Sequence, residues 1–252
     1  MAAGSAPVIT SLERGLRVLQ AFSASGAQLT LTEVAALAQL RPASARRSLQ
    51  ILQSLGYVSR VKRRFYLRPR TLSLGACYLR SIKADVIFYP VLQTITSHTR
   101  CDSAVTVLDA PDVVCIAHVA SNRQLRPSAL GVRYPALDTA AGQVLLAYAL
   151  EQPLMEQPGL SEGSIAAFAS VLRTVRANGF SMVNNELESG VWSVAVPFVG
   201  RDNLVVGAVS CSNVTHRPDP EATTRSCLAV LQSAAHDMER ALRLQSGFVL
   251  AS

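Results

Sequence analysis

The chain has 252 residues, of which 49% are hydrophobic and 16% charged, and its formal net charge is +7 at pH 7. This length suits two domains with hydrophobic cores of their own, and the hydrophobic share excludes a mainly disordered chain. No apolar run approaches the roughly 18 residues of a membrane-spanning helix, and no signal peptide is apparent, so we expect a cytoplasmic protein without a membrane partner. The five cysteines are scattered, which favours reduced thiols over a disulfide framework.

The positive charge is concentrated in the first third of the chain. Residues 1–83 contain 13 lysines and arginines but only two acidic residues, whereas residues 84–252 contain 11 basic and 15 acidic residues. A basic module attached to a mildly acidic one indicates a polyanionic partner for the first part alone. Charge by itself leaves open a basic surface that is merely solvated.

Three short helices are predicted within the first 56 residues. Residues 10–13 and 30–33 both have the spacing of a capping box. Pro42 suits the first turn of a third helix, and Gly56 suits its end. Helical periodicity predicts these inward-facing residues: Leu12, Leu16, Leu19 and Phe22 in the first helix, Val34, Leu37 and Ala38 in the second, and Ala45, Leu49 and Leu52 in the third.

A basic β-hairpin is predicted directly after the third helix, with strands at residues 57–61 and 65–67. Three helices followed by such a hairpin predict a winged helix-turn-helix. Its third helix would enter the major groove, while the cations of the wing would contact phosphates. An alternative is a helical protein-interaction module whose arginines are solvated. The candidate DNA-binding residues are Arg41, Ser44, Arg46, Arg47 and Gln50 in or beside the third helix, and Lys62, Arg63 and Arg64 in the hairpin turn.

Seven sequence segments follow one another along almost the whole chain in a characteristic order and spacing. They are residues 11–19, 45–58, 66–75, 131–135, 141–147, 185–190 and 193–197. Together they resemble the isocitrate lyase regulator (IclR) family of transcriptional regulators. The Ala-Arg-Arg sequence at 45–47 and the Leu-Arg-Pro-Arg sequence at 67–70 are most similar to the branch that controls aromatic-acid catabolism. The resemblance implies homodimers or dimers of dimers that bind double-stranded operator DNA.

The rest of the chain is predicted to form an α+β domain on an antiparallel sheet. Strands are predicted at 104–108, 113–119, 192–199 and 204–212, and helices at 89–99, 139–150, 164–177 and 220–244. Turn-forming residues at 109–112 and 200–203 would join neighbouring strands into hairpins. In the linker helix the apolar contacts would be Leu72, Leu79 and Ile82.

The predicted organisation is therefore a winged helix-turn-helix domain at 1–71, a linker helix at 72–84 and an effector-binding domain at 85–252. The resemblance implies that this last domain is GAF-like and holds its effector on one side of the sheet.

A small-molecule site is predicted where two strands approach the start of a helix. Ser210 and Ser212 share one face of their strand, and Val191 and Ser193 share one face of another. Residues 140–142 open a helix with side chains too small to block its N–H groups, which favours a carboxylate ligand. The candidate effector-binding residues are Ala140, Ala141, Gly142, Val191, Ser193, Ser210 and Ser212. Alternatively, these small residues merely pack the sheet closely.

The resemblance supports the same site, because the family's effector contacts fall at positions that match these residues, apart from Gly142. One difference is Val183, which stands where some members of the family have an acidic residue. The loss of that carboxylate makes the expected pocket less polar.

Other kinds of site have weaker support. Cys115 and His118 suggest half of a metal site, but their odd separation on a strand would place them on opposite faces, so no metal is expected. No Gly-x-Ser-x-Gly motif, phosphate-binding loop or dinucleotide motif is present, so neither an enzyme nor a cofactor is expected.

The sequence predicts a DNA-binding regulator that responds to a small carboxylate, such as an aromatic acid or a ring-cleavage product. The alternatives are a constitutive DNA-binding protein with a vestigial sensor domain, and a ligand-binding enzyme.

Overall fold

The computed structural model describes residues 10–23, 28–121, 129–149, 162–184, 191–214 and 220–244. Contacts within the chain divide it into two units, residues 1–77 and residues 78–252. None of the helices in these ranges is both long enough and apolar enough to cross a membrane.

The first unit contains three helices and a three-stranded antiparallel sheet. The helices are α1 (Thr10–Ala21), α2 (Leu31–Leu37) and α3 (Pro42–Ser54), and the strands are β1 (Leu29–Thr30), β2 (Val58–Val61) and β3 (Arg64–Leu67). The strand order is β1-β3-β2, so the hairpin of β2 and β3 follows α3 directly. The predicted winged helix-turn-helix is confirmed.

Local signals set the ends of α2 and α3. The Glu33 N–H donates to the Thr30 hydroxyl at 3.3 Å, and the Thr30 N–H donates to the Glu33 carboxylate at 2.6 Å, which confirms this capping box. The hydrogen bond from the Thr30 backbone lowers the pKa of Glu33 below its ordinary value. Pro42 lies in the first turn of α3, and Gly56 follows the helix with a φ of +78°, as predicted.

The buried face of α1 differs from the prediction. Val18, Ala21 and Phe22 are buried, whereas Leu12 is 62% exposed and Leu16 is 47% exposed. Phe22 belongs to the core and Leu19 packs against it, as predicted, but Val18 and Ala21 complete the buried face in place of Leu12 and Leu16. The inward orientation predicted for Leu37 of α2 is also wrong, whereas these predicted core residues are confirmed: Val34, Ala38, Ala45, Leu49 and Leu52.

Three helices lead from the first unit into the second. A 3₁₀ turn at Pro69–Thr71 precedes α4 (Leu72–Ser81), which is followed by α5 (Ala84–Ile87) and α6 (Tyr89–Thr99). The predicted linker helix therefore ends at Ser81, and Lys83 adopts a positive φ of 47° before α5 begins. Ile82 is buried and Leu79 packs against the same core, but Leu72 is 75% exposed, so its predicted apolar contact is wrong.

The second unit is built on a six-stranded antiparallel sheet. Its strands are β4 (Asp102–Asp109), β5 (Asp112–Val119), β6 (Arg133–Pro135), β7 (Ser181–Asn184), β8 (Val191–Val199) and β9 (Val205–Val214). Their order is β6-β5-β4-β9-β8-β7. The two predicted hairpins, β4 with β5 and β8 with β9, are confirmed, and the short edge strands β6 and β7 are additions to the prediction.

Helices cover both faces of this sheet. The α6–α9 core lies between one face and the helices α6 and α9 (Pro220–Leu244), and it contains Phe88, Phe198, Leu231 and Met238. The α7–α8 core lies on the other face beneath α7 (Ala140–Tyr148) and α8 (Glu162–Asn178). The predicted α+β fold is confirmed, with α6 and α9 on one face of the sheet and α7, against which α8 packs, on the other.

Candidate nucleic-acid interface and effector site

The outer face of α3 carries polar and basic side chains. Arg46, Arg47 and Gln50 are exposed, because Ala45, Ser48 and Leu49 take the positions that face the core. Arg41 is exposed just before the first turn, and Ser44 is half-buried within it. The structure thus brings all five predicted residues to one helix and its N-terminal end. A guanidinium group can form two hydrogen bonds with a guanine edge, so this face is suited to the major groove.

The cations of the wing fall into two groups. Lys62 and Arg63 occupy the two-residue turn between β2 and β3, are exposed, and have no side-chain hydrogen bond or ion pair with any described residue. Arg64 was predicted in the turn but is the first residue of β3. Its guanidinium donates to the carbonyl oxygen of Gln28 at 3.1 Å and lies 3.9 Å from the Glu33 carboxylate. Arg64 therefore joins the strand to the start of α2 rather than projecting from the tip.

Two further arginines near the wing serve the fold of the first unit. The Arg60 guanidinium donates to the carbonyl oxygen of Lys62 at 2.7 Å and lies over the Phe65 ring. The Arg70 guanidinium donates to the carbonyl oxygen of Leu55 at 2.8 Å and lies over the Tyr57 ring. These side chains shape the wing and its base, so only part of the basic charge in this unit is free for a polyanion.

The predicted effector serines lie on the sheet face that α7 and α8 cover. Ala208 belongs to the α7–α8 core, and side chains alternate along β9, so Ser210 and Ser212 point to the same face. Cys211 points the other way and is buried in the α6–α9 core, as the sequence predicts. Ser193 of β8 pairs directly with Ser212 and therefore shares this face.

Cross-strand pairing arranges these residues in two rows. The first row contains Asp102, Ser212, Ser193 and Val183, and the second contains Ala104, Ser210, Ala195 and Ser181. Ser193, Ser210 and Ser212 are each half-buried, and Val191 is half-buried two residues before Ser193. Sequence reasoning missed Asp102, because the predicted strand began two residues later. The period-two alternation of β4, extended back from Ala104, is the signal that would have identified it.

The start of α7 is less open than predicted. Thr139 is the N-cap, and its hydroxyl accepts the Gly142 N–H at 2.9 Å. A Cβ atom at Gly142 would overlap the backbone of Ala136, so this glycine permits close packing. The expectation that its N–H is free for a carboxylate is therefore wrong. Ala140 and Ala141 are also buried, and both belong to the α7–α8 core with Ala208.

Gln143 fixes α7 to the edge of the sheet, which sequence reasoning did not anticipate. Its side-chain carbonyl accepts the Ser181 hydroxyl at 2.7 Å, and its amide donates to the carbonyl oxygen of Leu137 at 3.0 Å. All three groups are buried within the second unit. These bonds hold the N-terminal half of α7 in place beside the two rows of small residues.

A β-bulge places Cys115 and His118 on the same face of the sheet, so the prediction of opposite faces is wrong. Cys115 pairs with Thr106 and His118 pairs with Ala104, so Ile116 is an extra residue and both side chains point to the same face. Burial raises the pKa of the Cys115 thiol to about 12, which keeps it protonated. Within the described ranges no group of three or more His, Cys, Asp or Glu side chains is arranged to hold a metal ion.

Comparisons with known proteins cover nearly the whole chain. Residues 11–62 match a family model described as the IclR helix-turn-helix domain, and residues 76–240 match one described as the C-terminal part of the bacterial transcriptional regulator IclR. The Pca operon regulatory protein of Acinetobacter baylyi is 30% identical, over 93% of this chain and 89% of its own length.

Two solved structures resemble both units. A proposed transcriptional regulator from Rhodococcus sp. RHA1 has a TM-score of 0.77 and 33% identity, covering 93% of this chain and 98% of that one. An IclR homologue from Microbacterium hydrocarbonoxydans, crystallised with 4-hydroxybenzoate, has a TM-score of 0.76 and 20% identity, covering 93% of this chain and 100% of that one. At that identity the second likeness concerns the fold alone.

Proposed function

Because this chain belongs to the IclR family of DNA-binding transcriptional regulators, we propose that it binds an operator through α3 and the wing and that a small carboxylate changes this binding. The proposal of DNA binding is supported by two exposed arginines, Arg46 and Arg47, on the third helix of a winged helix-turn-helix. Its relatives are regulators, and we propose a regulatory rather than a catalytic role for this chain as well.

The contacts we propose with DNA divide into two classes. Arg46, Arg47 and Gln50 hydrogen-bond base edges in the major groove and carry sequence specificity. Lys62 and Arg63 contact phosphates and carry affinity without specificity. Arg41 and Ser44, at the start of α3, also contact the DNA and help to orient the helix.

Replacement of Arg46 or Arg47 by Ala tests the interface. Each substitution should cost about 1–3 kcal/mol of specific binding, because a side chain that reads a base edge is lost. Competition between operator and random DNA should show a smaller preference for the operator. The matched control is Arg173→Ala, which removes an exposed arginine from α8. If both α3 variants bind the operator as wild type does, α3 is not the recognition helix.

We propose that the effector is an aromatic acid or a ring-cleavage product, bound beside Ala140, Ala141, Val191, Ser193, Ser210 and Ser212. The half-buried serines on the α7–α8 face support this assignment, since their hydroxyls can donate to a carboxylate. The relative named as a Pca operon regulator and the neighbour with bound 4-hydroxybenzoate support the choice of acid. Gly142 contributes by letting α7 pack closely, because its N–H is already bonded to Thr139.

We further propose that the protein acts in the cytoplasm as a homodimer or a dimer of dimers that binds paired half-sites. The likeness to the IclR family supports this assembly, and two-fold symmetric operators require it geometrically. Light scattering of the free protein and of its operator complex would count the protomers. A monomer in both states would contradict the proposal.

Titration calorimetry with aromatic acids tests the effector site. A hydrogen bond to a charged group contributes about 1.5–3 kcal/mol, so Ser193→Ala should weaken binding about ten- to hundred-fold. Ala141→Leu should weaken it further, because the larger side chain fills the space at the start of α7. The control Ala177→Leu places the same side chain on the exposed part of α8. Equal affinity in wild type and Ala141→Leu would place the site elsewhere, and no binding of any acid would favour constitutive DNA binding with a vestigial sensor.

A further inference from the structure

Asp102 lies on the same sheet face as the proposed effector serines. It pairs directly with Ser212, which pairs in turn with Ser193, so the three side chains form a continuous row. The next residue, Ser103, points to the opposite face, where its hydroxyl donates to the carbonyl oxygen of Leu92 at 3.0 Å. Alternation along β4 therefore fixes the side of the sheet to which Asp102 belongs.

The two oxygens of this carboxylate have different surroundings. Oδ1 accepts both the N–H and the hydroxyl of Ser121, each at 2.8 Å, two residues after the end of β5. Oδ2 has no hydrogen bond with any residue in the part of the chain that the structure describes. Asp102 retains only 7% of its exposure. Oδ1 is thus engaged in hydrogen bonds within the protein, whereas Oδ2 can accept a hydrogen bond from a ligand.

The row brings this acceptor within reach of a bound molecule. Cβ atoms of directly paired antiparallel residues lie about 4.5–5.5 Å apart. A ligand that contacts the Ser212 hydroxyl is therefore a neighbour of the Asp102 carboxylate. Two carboxylates at this distance repel each other in a partly buried site, so the acidic group of the effector would face away from Asp102.

We propose that Asp102 determines effector specificity by accepting a hydrogen bond from a hydroxyl group of the acid and by excluding a second carboxylate. This inference rests on the proposed function, because it concerns the same site. It predicts an effector with one carboxylate and, at its other end, a hydrogen-bond donor. A hydroxybenzoate has this chemistry, whereas a symmetric aromatic diacid does not.

Asp102→Asn gives a sharp test because Ser121 fixes the orientation of the new amide. The amide oxygen must stay where Oδ1 was in order to accept the two Ser121 hydrogen bonds. The amide nitrogen then takes the place of Oδ2, so an acceptor becomes a donor and the charge is lost. A purely structural role of Asp102 would change the binding of all acids alike, whereas a specificity role changes their ratio.

Affinities for 4-hydroxybenzoate, 4-methoxybenzoate and terephthalate would be measured by calorimetry on wild type, Asp102→Asn, Ser121→Ala and Asp237→Asn. Wild type should prefer 4-hydroxybenzoate over each of the other two by about ten-fold or more, since a charged hydrogen bond is gained. Asp102→Asn should lose most of this preference. Ser121→Ala should keep it, because the acceptor remains. Asp237→Asn should also keep it, since it removes an exposed carboxylate from α9, which lies on the other face of the sheet.

The outcomes separate this inference from the function on which it rests. If the acids bind wild type but the ratios are the same in Asp102→Asn, the specificity role is overturned and the effector site stands. If no acid binds wild type, the proposed effector class fails and this inference fails with it. The affinities of the wild-type protein are a test even if Asp102→Asn does not fold. If wild type binds terephthalate as tightly as 4-hydroxybenzoate, or more tightly, the role of Asp102 is overturned.

Discussion

The two exposed cations at the tip of the wing lead to a quantitative prediction about salt. Lys62 and Arg63 have no side-chain partner among the described residues, whereas the Arg64 guanidinium is bonded to the carbonyl oxygen of Gln28. The double variant Lys62→Gln, Arg63→Gln should therefore bind all DNA sequences more weakly by a similar factor, because phosphates carry no base identity. Arg64→Gln should affect mainly the stability of the first unit.

The magnitude follows from the number of free cations. Each phosphate contact contributes about 0.9 to the slope of log affinity against log salt, so losing two flattens the slope by about 1.8 per protomer bound. Between about 50 and 200 mM salt, wild type should then lose about 12-fold more affinity than the double variant. Three equivalent cations would give a change of about 2.7 in slope, which the measurement can distinguish.

Fluorescence anisotropy with operator and random duplexes at several salt concentrations would provide these slopes. The single variant Arg64→Gln is the matched control, since it removes one positive charge from the adjacent strand. Thermal unfolding of each protein would show whether a loss of affinity reflects a loss of fold. Identical slopes for wild type and the double variant would refute the reasoning, and so would an equally large change in Arg64→Gln.

Three further predictions concern stability. Thr30→Ala should destabilise the first unit by about 1 kcal/mol in denaturant titrations, because α2 loses its N-cap, while Thr30→Ser should be nearly neutral; an equal loss in both would contradict the capping role. Gly142→Ala should cost the second unit about 1–3 kcal/mol, since the new Cβ overlaps the backbone of Ala136, whereas Gly15→Ala meets no atom within 4 Å and should not destabilise. Because the pKa of Glu33 is lowered on folding, its stabilisation is present above the ordinary value and is lost as pH falls through the lowered pKa; Glu33→Gln should show a weaker acid dependence in the same titrations.

Features with local causes were predictable from the sequence. The capping box at Thr30, the proline at the start of α3 and the glycine after it act within a few residues, and the structure has all three. The helices α6 and α9 are also found with the predicted bounds, because their apolar periodicity is strong. The two hairpins were also predictable, because their turn residues lie between long strands, although the strand ends differ from the prediction by one or two residues.

Features that depend on distant partners were not predictable in the same way. Leu12 and Leu16 share the helical period with Leu19 and Phe22, and the placement of α2 and α3 decides which of these side chains are covered. Strands β6 and β7 are three and four residues long, too short for a period-two pattern to be recognised. The place of Asp102 in the serine row depends on pairing with Ser212, more than a hundred residues later in the chain.

The bulge at Ile116 makes the length of β5 as important as its composition. Side chains alternate with a period of two, so one extra residue reverses the side to which everything after it points. If Ile116 were deleted, the strand would become regular, with Ala117 still opposite Val105 and His118 still opposite Ala104. Insertion of a further residue after Ile116 would instead turn His118 towards the α6–α9 core. Related chains should therefore tolerate changes of side chain, or the loss of Ile116, far better than an insertion in this strand.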